Sequence, residues 1–118
     1  MKRDDELIRN LLFEFESADD WLHTLPSGGV LAPKPEDRRK DYHVHLMADE
    51  GLVKAFGNST FRLTSRGHDY LDAIRSDTIW KKTKDGASIL GGATLGIMFD
   101  LAKAYIKQEA AEKLGLNL

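Results

Sequence analysis

The chain contains no cysteine, which removes disulfide frameworks, thiolate metal sites and cysteine nucleophiles together. Proline is scarce and unevenly placed: Pro26, Pro33 and Pro35 all fall in one stretch. Neither sign of charge dominates. The formal net charge is −2, so no global attraction to phosphate is built in. No apolar run approaches the ~20 residues that a membrane-spanning helix needs. The most apolar window, 87–99, is about half glycine, alanine, serine and threonine, and Asp100 and Lys103 follow it. The opening MKRDDELIRN is charged and lacks the apolar core of a signal peptide. These absences fit a cytoplasmic protein with no membrane partner.

What is present is ordinary globular material: 118 residues, 42% hydrophobic and 31% charged. That length supports one domain with its own core, without metal or disulfide staples. Leu7, Ile8, Leu11, Leu12 and Phe15 recur at helical spacing. Asp4, Asp5 and Glu6 sit in the first turn, where the helix dipole favours negative charge. The expected helix, 4–17, buries Leu7, Leu11 and Phe15 and leaves Arg9, Asn10 and Glu14 in water. Residues 17–35 carry all three prolines and Gly28-Gly29 and read as a loop, with a short strand near Trp21 to Leu25.

A second helix is expected from Glu36 to Glu50, with Gly51 as its left-handed stop. Its buried stripe is Val44, Leu46 and Met47 with Tyr42 at the edge; Arg38, Arg39, His45 and Asp49 face solvent. Gly57-Asn58 reads as a two-residue turn joining two short strands, with Phe56 and Phe61 as apolar anchors. Thr64 caps a helix over 65–75 that buries Tyr70, Leu71 and Ile74. A turn at Ser76-Asp77 leads to Thr78-Ile79-Trp80 and the lysines Lys81, Lys82 and Lys84. A last helix follows from Thr94 to Leu114. Helix, glycine stop, hairpin and helix give the order of a winged helix-turn-helix core. The expected fold is mainly α with a small β-hairpin and an additional C-terminal helix. Its divisions are a core over 1–84, a flexible glycine-rich linker over 85–93 and the final amphipathic helix over 94–118.

Three segments, MKRDDELIRNLL, YHVHLMADEGLV and RLTSRGHDYLDAIRSDTIWKKTK, carry a resemblance to a bacterial and phage family, domain of unknown function (DUF) 2513. That family is distantly similar to the YjcQ-like winged-helix proteins. The tail GGATLGIMFDLAKAYIKQEAAEKLGL also looks like the family's ending. The resemblance implies a winged-helix fold and a setting in a bacterial cell or phage-infected host. It brings no catalytic residue, and fold by itself does not set function.

Chemistry-bearing patterns are thin. The four histidines, His23, His43, His45 and His68, lack the i, i+4 pair with a glutamate of zinc proteases. His43 and His68 are candidates to meet between helices, either as a hydrogen-bonded pair or as the core of an unrecognised site. Walker-type loops, GxSxG and a strand-borne GxGxxG are all missing. A non-enzymatic protein without metal or cofactor is expected.

Two binding readings remain. Double-stranded DNA would meet Arg38, Arg39 and Lys40 at the front of the helix before the hairpin, with Lys54, Arg62 and Arg66 around the hairpin. Glu36, Asp37, Asp41, Asp49 and Glu50 dilute that helix with negative charge. Alternatively the chain binds or inhibits a host protein, or pairs as a homodimer. The surface would then be Leu95, Met98, Leu101, Ala102, Tyr105 and Ile106 of the last helix, with the loop from Trp21 to Pro35. The same stripe would serve equally to pack on the chain's own first helix.

Overall fold

The computed structural model describes residues 1–29 and 31–117; Val30, inside the expected loop, and Leu118, at the end of the expected last helix, lie outside them. The element order is α1 (Asp5–Ser17), β1 (Leu22–Thr24), α2 (Pro35–Asp49), β2 (Val53–Phe56), β3 (Thr60–Leu63), α3 (Ser65–Ile74), α4 (Asp77–Ile89) and α5 (Leu95–Leu114). Mainly helical, with one small antiparallel sheet and a C-terminal helix, the chain has the expected fold class. It divides into two compact units, Met1–Leu71 and Asp72–Leu118.

In the first unit, α1 starts where the Asp4 side chain accepts the Leu7 N–H at 3.2 Å, satisfying one of the free donors at the helix start. Its buried stripe is Ile8, Leu11, Leu12 and Phe15. Arg9, expected in water, is instead largely buried, its guanidinium lying over the Phe13 ring at 5.1 Å. The helical period turns that face inward, and a long aliphatic stem with a stacked head tolerates it.

Pro35 opens α2, where a missing N–H costs nothing. The helix stops as expected at Gly51, with φ of 76°. The Leu52 N–H returns to the Met47 carbonyl at 2.8 Å. Val44 and Met47 are buried, whereas Leu46 is only half-buried and His43 takes the remaining inward position.

The sheet runs in the order β1-β3-β2, with both pairs antiparallel. Phe56 pairs with Thr60, so the hairpin loop is Gly57-Asn58-Ser59, one residue longer than the expected turn. The Thr60 hydroxyl donates to the Phe56 carbonyl and closes it. Thr64 then caps α3: its Oγ1 accepts the Gly67 N–H at 3.0 Å and donates to the Gly51 carbonyl at 2.5 Å. Gly67 is required by a close approach. A Cβ there would lie 2.1 Å from the Leu52 carbonyl oxygen, well inside van der Waals contact. The segment leaving α2 therefore passes directly over the first turn of α3.

The second unit contains an element the sequence reading missed. Ser76 is an N-cap, its side chain accepting the Ile79 N–H at 3.3 Å. From there α4 runs through the lysine cluster and Gly86 to Ile89. The expected linker over 85–93 is thus helical in its first half. Gly86 serves packing: a Cβ there would meet the Tyr105 hydroxyl at 2.6 Å. α5 lies against α4, with Leu95, Met98, Phe99 and Ala102 buried. Leu101, Tyr105 and Ile106 are only half-buried.

Candidate functional site

The six basic residues expected to meet DNA do not share one task. Arg39 donates to the Asp4 carboxylate across 35 positions of sequence, joining the start of α1 to α2. His43, fully buried one turn on, completes the joint. Its Nε2 accepts the Asp4 N–H at 2.8 Å, so the ring is neutral with its proton on Nδ1, which donates to the Arg39 carbonyl at 2.7 Å. The Arg39 guanidinium is the main reason that the Asp4 carboxyl is held below its ordinary value. A cation neutralised this way has little left for a phosphate.

Arg66 donates from Nε to the Glu50 carbonyl at 3.1 Å, at the far end of α2. Arg38 sits in the first turns of that helix, about 18 Å away along its axis. Arg62 Nη1 reaches the Leu63 carbonyl at 3.0 Å. Arg3, near the N-terminus, pairs with Asp5 at 2.8 Å. Among the described residues, no ion pair involves Arg38, Lys40 or Lys54. The six positions are therefore spread over both ends of α2 and the sheet, with acids between them.

The histidines also separate. His43 is spent on the α1–α2 joint. His68 is exposed and borders an open hollow of about 340 Å3 whose other lining includes Phe15, Trp21, His23 and Arg62. The expected meeting of His43 and His68 does not occur, because α3 presents His68 to the strand side of the unit. His23 packs beside the rings of Phe15 and Phe61, at 5.0 and 5.5 Å, and those two rings meet each other at 4.9 Å. Burial there lowers its pKa, against the opposing pull of Asp20 and Glu14. Among the described residues no group of three or more histidine, aspartate or glutamate side chains is placed to hold a metal ion.

On α5, Leu95, Met98 and Ala102 are buried in the monomer, which corrects the expectation that they are free for a partner. Within its unit α5 packs against α4. The sequence pattern predicts a turn and a linker where α4 lies.

The surface that the sequence reading undervalued is the outer face of the sheet. Strand alternation sends Val53, Phe61 and Leu63 inward, where all three are buried. Lys54, Phe56, Thr60, Arg62, Leu22 and Thr24 take the other face. In register, Leu22, Arg62 and Lys54 form one row and Thr24, Thr60 and Phe56 the next. Trp21 meets Phe56 edge to face at 6.1 Å. Trp21 is 65% exposed, Phe56 42% and Leu22 37%. Phe56, expected as an anchor, instead points out. The signal was available in the period-two pattern of VKAF and TFRL, but only the register shows which alternate residues adjoin Trp21.

No helix among the described residues is long and apolar enough to cross a membrane. The pattern of the family described as "Hypothetical protein (DUF2513)" matches residues 2–93, from the N-terminus to the end of the α4–α5 turn. α5 lies beyond the match, so the expected likeness of the tail is outside it. An uncharacterized protein of Haemophilus influenzae is 34% identical over 92 residues, covering 71% of this chain and 76% of its own length. No solved structure matches the chain. With most of its length matched by that pattern, the chain belongs to the DUF2513 family.

Proposed function

We propose that this chain is a non-enzymatic binding module on a winged-helix-like scaffold, and that its partner is a protein. The observation that carries this reading is the outer sheet face, where Trp21, Leu22 and Phe56 lie exposed together. Adjoining exposed aromatic and apolar side chains form the kind of patch that protein partners cover. The dispersal of the expected DNA contacts supports the same choice, since Arg39 and Arg66 each hold a distant part of the chain. Placing a photo-crosslinking amino acid at Phe56 tests it. A discrete protein adduct that disappears with Trp21→Ser is the expected result; labelling that ignores Trp21 would count against it.

Duplex DNA is the second reading, favoured by one observation. Arg38 and Lys40 lie at the front of α2, the helix preceding the hairpin, and no ion pair involves them or Lys54 among the described residues. Recognition helices use that position to reach base edges. DNA binding by this route would weaken steeply with salt and be lost in Arg38→Ala with Lys40→Ala. An affinity unaffected by that double variant removes this site.

A further inference from the structure

We propose that the outer face of the β1-β3-β2 sheet docks a segment of a partner protein that carries carboxylates beside apolar side chains. This rests on the protein-binding reading above and names the chemistry of the partner. The first observation is a like-charge pair. Lys54 stands directly opposite Arg62 in the β2–β3 register. Directly opposed side chains have Cβ atoms about 5 Å apart, and like charges there are destabilising. The chain has 19 acidic residues, yet none occupies an outer-face position in the two registered rows. The repulsion is retained in the fold without an acid in either row. A carboxylate arriving between the two cations relieves it.

The second observation is what flanks the pair. Leu22 completes the row beside Arg62, and Phe56 and Trp21 form a ridge beside Lys54. A partner segment must therefore offer apolar side chains on either side of its acid. Trp21 and Arg62 also border the hollow beneath His68, which gives one partner side chain room to insert.

A nucleic acid strand is a poorer fit. It brings a charge with every nucleotide and needs a basic track along its backbone. Here the cations stop after one row, and Asp19 and Asp20, next to Trp21 in the chain, line the same hollow as Trp21 and Arg62. A short acidic and apolar segment needs charge at that one row only.

The test is an NMR titration of the isotope-labelled full chain with a short peptide of repeating Glu-Leu-Glu-Phe. The charge-reversed Lys-Leu-Lys-Phe peptide and an oligothymidine strand serve as comparison probes. The glutamate peptide is expected to shift the amides of 22–24, 53–56 and 60–63. Its binding should weaken about tenfold in Lys54→Glu and in Trp21→Ser, as for the loss of a central contact. Inner-face resonances that stay in place show that each variant is folded. Equal binding by the lysine peptide, or unchanged affinity in Lys54→Glu, overturns the proposal. Oligothymidine moving those amides in place of the peptide assigns the face to nucleic acid and overturns it too. Peptide shifts confined to other elements remove this face but leave the protein-binding reading standing. No response to any probe removes both.

Discussion

The two faces of one small sheet follow opposite rules. The inner face presents Val53, Phe61 and Leu63, all buried, with His23 packed beside Phe15 and Phe61. The outer face, built from the alternate residues of the same strands, presents Lys54, Phe56, Arg62 and Leu22 to solvent. On the inner face the large side chains Val53, Phe61 and Leu63 are all packed away from water. On the outer face two like charges oppose each other and two aromatics stay exposed, an arrangement that stability alone does not reward. That contrast separates what holds the fold from what the fold holds out.

Substitutions on the inner side should cost most. Phe61→Ala removes a fully packed ring and is expected to lose about 3–5 kcal/mol, measured by denaturant unfolding. Gly67→Ala drives a methyl into the Leu52 carbonyl and should cost about 1–3 kcal/mol as overpacking. A Gly67→Ala variant as stable as the parent would mean that α3 does not sit under Leu52 as described.

Next in size is the joint at the start of α1. Asp4→Ala loses both the cap and the bond to Arg39, and about 1 kcal/mol is expected from the cap. Asp4→Asn keeps a cap and isolates the charge. Because the folded carboxyl lies below its ordinary value of 3.8, its contribution is present above that value. It is lost as pH falls through the lower folded pKa. Acid unfolding profiles should therefore converge at low pH and diverge above it; parallel curves would show that the charge contributes nothing.

His23 gives a smaller, pH-dependent effect. Burial lowers its pKa below the ordinary 6.5, so the unfolded chain takes up the proton first. Stability is full above that value and declines as pH falls through it. His23→Phe should flatten this decline in thermal melts, and an unchanged slope would place the titration elsewhere.

Most of this architecture was legible in the sequence, and the exceptions have physical causes. α1, α2, the hairpin and α3 announce themselves through Asp4, Pro35, Gly51 and Thr64, whose capping chemistry is local. α4 does not. Ser76, Gly86 and a lysine cluster read as turn and linker, because Gly86 is explained only by Tyr105, which arrives on the following helix. Basic residues were also easy to find, but their partners were not: Arg39 meets Asp4 from 35 positions away. Phe56 reads as an anchor because alternation shows two faces without saying which one Trp21 covers.

The smallest stability effect is the most telling. Lys54→Glu replaces the opposed like charges by an opposite pair across β2 and β3, and such pairs contribute roughly 0.2–1 kcal/mol. Stability by denaturant unfolding and affinity for the Glu-Leu-Glu-Phe peptide, measured on this one variant, test the outer face directly. The account predicts a chain slightly more stable than the parent that binds the peptide about tenfold more weakly. A Lys54→Glu chain that is less stable, or that binds as the parent does, would contradict it.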